Sequence, residues 1–552
     1  MTQGFYSNAK RPLRKTSVIL LIVLGLFTFF VNLEQLPSDI MEMRNLVTAR
    51  EIVHDGNWLV PTMNGELRLQ KPPLPTWVAG AVETVSPDNL GLQRAAAGVM
   101  GSLWVLFLFL TVRKLSKDDD LPVVTAVVFM TCYNLVLMGR SATWDIYCHS
   151  WMMGAIYFLT CGLLEQRREW LHFMVAGLLL GLSFLSKGPV SFYALLLPYL
   201  LVFGFMARPR LKGKWAPIAV MILLMLVVGG WWYVYLLVKH PAEMSQVIHV
   251  ETGAWSNHNV RPWYYYWQFF LEMGAWAVLM LAALAYPYWV KRLKLSREYI
   301  LSFGWAIGVL VLLSLMPEKK TRYLLPMLAP SAMLVACLVV HFKQGVVMDR
   351  FSKFLFRFNG AVIALVVLTV VGLLFFYVLP RHMLSQGTAI VVSILLLGIL
   401  VWIVRAVHDY RPMKFIGGIA SIFVVAEVFL LSAIGNVFGN PDAHSISLIN
   451  QDKRMDGISL YYPEQEALRI EMVYQAHRKI LPLAVEDSVA LSRVLPCAIV
   501  SQKPIAEVVP ATVLAGVDTV SIGFFDDNKH PKTDKHYSDV FLNHVTLLTT
   551  KK

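Results

Sequence analysis

Charge is scarce in this chain. Only 15% of its 552 residues are Asp, Glu, Lys or Arg, against 57% hydrophobic. Too little polar surface is left to cover a soluble core of that size, and apolar runs repeatedly reach the length that crosses a bilayer, so a soluble globular fold is excluded and a polytopic α-helical membrane protein is expected. Acid is scarcer than base, with 36 Asp and Glu against 49 Lys and Arg. The resulting formal charge of +13 does not point to nucleic acid, because no compact basic domain accompanies it; basic residues of polytopic proteins gather in cytoplasmic loops beside anionic lipid. Cysteine is scarce too. Cys132, Cys148, Cys161 and Cys337 fall in or beside apolar segments, which leaves Cys497 alone in the hydrophilic tail and excludes a disulfide within it. No CxxC or paired-histidine spacing suggests a metal.

About thirteen apolar segments could span, near 17–36, 91–112, 121–138, 145–164, 170–185, 188–206, 215–238, 266–290, 300–316, 323–341, 360–379, 388–407 and 414–436. The stretch 170–206 could also be one long or broken helix, and that would invert everything downstream. Charge bias tests it. With the N-terminus inside, the even-numbered connections hold clusters such as Arg113, Lys114 and Lys117, then Arg208, Arg210, Lys212 and Lys214, then Arg350, Lys353 and Arg357. The outer loops hold fewer, so thirteen spans and an outside C-terminus are expected. Lys10, Arg11, Arg14 and Lys15 before Ser17–Leu33 look like a signal peptide, but no small-residue cleavage site follows, so a retained first span is expected. The first outer loop covers 37–90. After a membrane domain of 1–438, the tail 439–552 reads as a small α/β domain. Its helical pattern covers Gln465–Ile480, its strand-like runs are Cys497–Ser501, Val520–Phe525 and His544–Thr549, and a turn falls at Asp526-Asp527-Asn528.

Several charged residues open onto the same outer face. In the first loop, Asp39 and Glu42 lie three apart at the start of a helical pattern whose Ile40, Met43 and Val47 can lie on the membrane. The plainer reading is a capping box with Asp39 as N-cap. Lys71 sits in a proline-stiffened turn, Lys71-Pro72-Pro73, where a snorkelling anchor is the plainer reading. Asp145 stands at the mouth of a span, where a helix N-terminus by itself favours an acid. Lys187 and the run Lys319-Lys320-Thr321-Arg322-Tyr323 stand at two other mouths. Arg261 precedes Pro262-Trp263-Tyr264-Tyr265-Tyr266-Trp267, which is either an aromatic belt or a set of rings that stack on a sugar or prenyl chain. Carboxylates such as Asp39, Glu42 and Asp145 gathered with Lys71, Lys187, Arg261 and Arg322 at one bilayer surface suit chemistry on a lipid-linked anion.

The order of these motifs carries a resemblance. An acidic first-loop helix, Trp58-Leu59-Val60-Pro61, Lys71-Pro72, Asp145, Lys187-Gly188, Pro262-Trp263-Tyr264-Tyr265 and Arg322-Tyr323 together resemble the bacterial GT-C glycosyltransferases of the protein O-mannosyltransferase and lipid A aminoarabinose transferase superfamily. The likeness covers about the first 340 residues, the later spans matching in layout only. It implies a thirteen-span GT-C fold with periplasmic juxtamembrane helices, in the bacterial inner membrane, with its site facing the periplasm. It implies transfer of a sugar from a polyprenyl-phosphate donor, without a nucleotide, to lipid A or another envelope acceptor; protein O-glycosylation is the nearest alternative. A secondary transporter or lipid flippase would keep more polar groups and broken helices near the midplane. Carried onto this chain, the resemblance makes Asp145 a catalytic-region aspartate, Lys71 the Lys-Pro lysine, Tyr323 the tyrosine near the lipid phosphate and Arg261 a phosphate ligand. Adjacent Asp-Glu is usual in the family where this chain has Met41-Glu42, so either Glu42 serves alone or Asp39 takes the aspartate's place. Gln70 stands where an acid would precede Lys71, and His258 is displaced from the histidine before the Pro-Trp-Tyr-Tyr run. Both positions can contribute to a metal site in the family, so a zinc site like theirs is not carried over and no metal ligand is assigned; no cofactor is required by the resemblance, and a divalent metal is left open.

Overall fold

The computed structural model describes residues 12–165, 167–437, 440 and 443–551. Lys10, Arg11 and Gly439, where the N-terminal basic cluster and the tail were expected to begin, lie outside them. By contact the chain forms two units, one of residues 1–33, 69–75 and 91–431, the other of 34–68, 76–90 and 432–552. The expected division kept 37–90 with the spans; most of that loop instead clusters with the tail.

In the first unit the expected apolar segments are helical. They are α1 (Lys15–Phe30), then, past the second unit's α2 (Ile40–Asp55) and α3 (Leu74–Val85), α4 (Leu90–Leu115), the pair α5 (Leu121–Met130) and α6 (Tyr133–Met138), α7 (Trp144–Leu164) and α8 (Glu169–Lys187). There follow α9 (Leu197–Ala207), α10 (Trp215–Lys239), the outer helix α11 (Pro241–Asn257), α12 (Ala277–Ala283) with α13 (Tyr286–Trp289), α14 (Ser296–Leu315), α15 (Leu328–His341), α16 (Arg350–Leu373), α17 (Gln386–His408) and α18 (Pro412–Val425). Among the described residues, nine helices are long and apolar enough to cross a membrane, and Lys15–Phe30, Leu121–Met130 and Phe192–Ala207 are shorter apolar ones. The ambiguous stretch 170–206 is two helices. Gly188 breaks it at φ 67, ψ −145, a conformation essentially open only to glycine, and Pro189 follows.

Two devices position α8. Gly177 and Gly181 lie one turn apart and let α10 approach so closely that an added Cβ would fall 2.4 Å from the Met221 carbonyl oxygen and 2.6 Å from Val228, the small-residue packing that membrane helices use in place of a hydrophobic drive. Ser183 donates to the Cys148 carbonyl at 2.7 Å and so ties α8 to α7. Nearby, Arg140 serves the carbonyls that the end of α1 leaves without intrahelical partners, donating to Thr28 at 2.6 Å and Val31 at 3.0 Å. Its guanidinium also lies 3.9 Å from the buried Glu427 carboxylate.

The second unit joins the first loop to the tail. After the short pair β1 (Thr62–Met63) and β2 (Glu66–Leu67), the tail adds α19 (Leu431–Val437), β3 (Ser459–Pro463), α20 (Ile470–Gln475), β4 (Ile480–Leu483), α21 (Ser488–Val494), β5 (Cys497–Ser501), β6 (Val517–Asp526) and β7 (Leu542–Thr550). The sheet order is β4-β3-β5-β7-β6, parallel about β3 and antiparallel about β7. Three strands were legible. The helix expected over Gln465–Ile480 is only Ile470–Gln475, because Ile480 instead starts β4 and pairs in parallel with Leu460. A second correction concerns α2. Val47 does not lie on a membrane surface; it is buried in the sheet core with Ile446, Met455, Leu460 and Met472. The Asn64-Gly65 turn, both residues at positive φ, is stapled by Glu51, which accepts from Gly65 N at 3.1 Å. Asn64 then pairs its side chain with the edge strand β4, donating to Ile480 O at 2.7 Å and accepting from Ile480 N at 2.9 Å.

Candidate active site

The first unit brings four of the expected site residues together. Asp145, in the first turn of α7, pairs its Oδ1 with the Nζ of Lys187, the last residue of α8. Both side chains are buried, 6% and 9% exposed. Lys187 Nζ lies 5.3 Å from the centre of the Tyr323 ring, which Lys320 Nζ and Arg322 Cζ approach at 5.8 and 5.9 Å. Arg322 also lies within electrostatic reach of Asp145. One turn below Asp145, His149 is buried against Trp104, ring centres 5.4 Å apart.

Arg261 arrives by backbone pairing. Its N–H donates to Pro317 O at 3.3 Å and Lys319 N donates to Asn259 O at 3.1 Å, while Val260 and Glu318 form a bridge. This short ladder holds the exposed Arg261 beside the Lys319–Tyr323 run. The Tyr266 hydroxyl fastens the same run, accepting from Lys320 N at 3.0 Å and donating to Lys320 O at 3.2 Å. The aromatic segment therefore divides: Trp263, Tyr264 and Trp267 are exposed, as in an interfacial belt, whereas Tyr266 is buried against the cationic run. Burial pushes the Lys319 ammonium below its ordinary value, and its Nζ donates to Met316 O.

Lys71 Nζ lies 3.6 Å from Glu251 Oε2 on α11. Glu251 is within electrostatic reach of Tyr233, whose hydroxyl would stand 3.4 Å from a Cβ on Gly188. Glu251 was not singled out from the sequence, nor was Glu318, which pairs with Lys320 at 2.5 Å. A signal existed for Glu318, the one acid in a run of cations; none distinguished Glu251 from other surface acids.

The first-loop acids belong to the second unit. Asp39 is the N-cap of α2, its Oδ1 accepting from Met41 N at 2.6 Å and Glu42 N at 2.9 Å, so the plainer reading describes its contacts. Glu42 is 1% exposed. Among the described residues no three His, Cys, Asp or Glu side chains gather into a metal-binding set.

Many apolar helices, with cations crowded over a buried Asp–Lys pair at helix mouths and a small sheet domain, define a polytopic membrane fold of the GT-C type. In fold the chain is similar to ArnT from Cupriavidus metallidurans bound to undecaprenyl phosphate, with a TM-score of 0.66 and 16% identity over 96% of this chain and 97% of the other. Residues 70–233 match the family model described as dolichyl-phosphate-mannose-protein mannosyltransferase. The undecaprenyl phosphate-alpha-4-amino-4-deoxy-L-arabinose arabinosyl transferase of Pseudomonas savastanoi pv. phaseolicola is 25% identical over 68% of this chain and 69% of its own length. The transferase of the same description from Edwardsiella ictaluri is 27% identical over 53% of this chain and 54% of its own length. The chain thus spans from about half to about two thirds of the length of these relatives. By that match over 70–233 and by these relatives the chain is similar to the GT-C glycosyltransferase superfamily that holds the protein O-mannosyltransferases and the lipid A aminoarabinose transferases.

Proposed function

We propose that this protein transfers a sugar from an undecaprenyl-phosphate-type donor to lipid A or another envelope acceptor, at the periplasmic face of the bacterial inner membrane. The observation that carries this reading is the Asp145–Lys187 pair set under Tyr323 with Arg322, Lys320 and Arg261 around it. In the reaction the bond from the anomeric carbon to the phosphate oxygen breaks, a bond to an acceptor oxygen forms, and the polyprenyl phosphate leaves with the electron pair. Lys187, Arg261, Arg322 and Lys71 would take up the charge that builds on that phosphate, and Tyr323 would hold it by its hydroxyl. Asp145 orients Lys187 and can take the proton of a hydroxyl acceptor. A lipid A phosphate is already ionised and needs only orientation. Glu42 is the first-loop acid we assign to the reaction, because Asp39 is engaged as a helix cap.

The mannosyltransferase description over 70–233 favours a second acceptor class, a protein hydroxyl. One assay separates them. Label from an undecaprenyl-phosphate sugar is followed in detergent with lipid A or a peptide as acceptor, and lipid A from a deletion strain is weighed by mass spectrometry. Transfer to lipid A that is lost in both Asp145→Ala and Lys71→Ala is expected; transfer that survives both substitutions overturns the site, and labelling of peptide alone overturns the acceptor.

A further inference from the structure

At its N-terminal end, α16 carries a second cationic cluster, outside the site above. Arg350, Lys353 and Arg357 recur at intervals of three and four, and Phe354, Phe358 and Ala361 follow close behind them. At 3.6 residues per turn these make two adjacent stripes, one cationic and one apolar. Together with Tyr410, just past the end of α17, they line a concavity of about 480 Å³ with no acid among the described residues of its wall.

The flanking acids are engaged elsewhere. Asp349 caps α16, accepting from Phe351 N at 3.2 Å and Ser352 Oγ at 2.6 Å, and it also accepts from the Tyr288 hydroxyl. Asp409 contacts His408 and Arg411. Tyr410 is the second observation. It sits at φ 51, at a helix end where glycine is the ordinary choice and a bulky side chain is strained. Its ring receives Arg357 at 5.1 Å and Lys353 at 6.0 Å. Beside them Phe354 and Phe358, 60% and 47% exposed, stack with ring centres 5.7 Å apart and lead from the cations into the apolar span. By charge bias this end of α16 is cytoplasmic, on the face opposite Asp145.

We propose that this concavity binds the headgroup of an anionic glycerophospholipid, its phosphodiester against Arg350, Lys353 and Arg357 and an acyl chain along Phe354 and Phe358. A general cytoplasmic excess of basic residues needs only scattered charge. Here three cations, a strained tyrosine and an exposed aromatic track converge on one hollow, which is the form that lipid phosphate recognition takes between membrane helices.

The full chain in nanodiscs of phosphatidylcholine, doped with a diazirine-bearing phosphatidylglycerol, is irradiated and its adducts mapped by mass spectrometry. Adducts are expected to concentrate on 350–361 and Tyr410, and to fall about tenfold in the triple variant R350Q/K353Q/R357Q. R350K/K353R/R357K is expected to keep them, and K291Q/R292Q/K294Q in another basic loop to leave them unchanged. Should the neutral triple variant fail to fold, Tyr410→Gly, suited to that backbone, is expected to lower labelling on its own. Adducts spread evenly over the basic loops, equal labelling by a diazirine phosphatidylcholine, or protection by inorganic phosphate at matched concentration would each overturn the proposal.

Discussion

Lys187 and Asp145 are a buried pair, so removing one partner should be worse than removing both. Lys187→Met leaves a buried carboxylate and is expected to cost about 3–5 kcal/mol, much of it recovered in Asp145→Leu/Lys187→Met. Thermal unfolding in detergent reads the stability and label transfer reads the function. A stable double variant that still transfers sugar would reduce the pair to a packing device. The first-loop acids separate in the same way. Asparagine caps helices as well as aspartate, so Asp39→Asn is expected to keep both fold and transfer, while Asp39→Ala costs about 1 kcal/mol. Glu42→Gln is expected to lower transfer by about 10²–10⁴-fold. The reverse outcome, loss in Asp39→Asn with Glu42→Gln active, would return the chemical role to Asp39. Sequence reasoning singled out Asp145 and Lys187 because each is a charged residue at the end of an apolar run, and Tyr323 through the resemblance; Glu251 lies in α11 with no such contrast.

Among the elements, the end of α8 decides where Lys187 points. Gly188→Ala puts a Cβ into a conformation that L residues avoid, at a cost of about 1–3 kcal/mol. Lower unfolding temperature together with reduced transfer is expected, and unchanged values for both would show that this backbone does not need glycine. The tail shows what local pattern can and cannot reveal. β5 is an apolar run buried along its whole length, and β6 and β7 are rich in β-branched residues, so their residues announce strands, whereas β3 ends in a proline and β4 carries one, and each becomes a strand beside a parallel neighbour. The Asn64-Gly65 turn carried a readable signal, but its docking onto β4 joins residues more than four hundred positions apart.

For the whole molecule, the packing of α2 and Val47 into the C-terminal sheet core makes most of the first loop and the tail one folded unit. That second unit should also be acid-sensitive. Burial works to raise the Asp88 carboxyl, but the His477 hydrogen bond and the Arg50 charge outweigh it and hold it below the ordinary range. A group depressed in the folded state stabilises above its unfolded value of about 3.9, and that contribution is lost as pH falls through the lower folded value. Unfolding temperatures followed from about pH 6 to about pH 3 should therefore fall less steeply for Asp88→Asn than for wild type. Parallel curves would remove Asp88 from the account.

The membrane class, the succession of apolar helices and the helix-end positions of Asp145 and Lys187 were determined by the sequence itself. Apolar run length and the distribution of charge act locally on every segment. Tertiary structure alone decided that Lys187 pairs with Asp145, that Lys71 meets Glu251, that Val47 belongs to a sheet core, and that Tyr410 stands over the cations of α16. Each of these joins positions remote in the chain, and the pairing is set by how helices and strands pack rather than by any pattern within them.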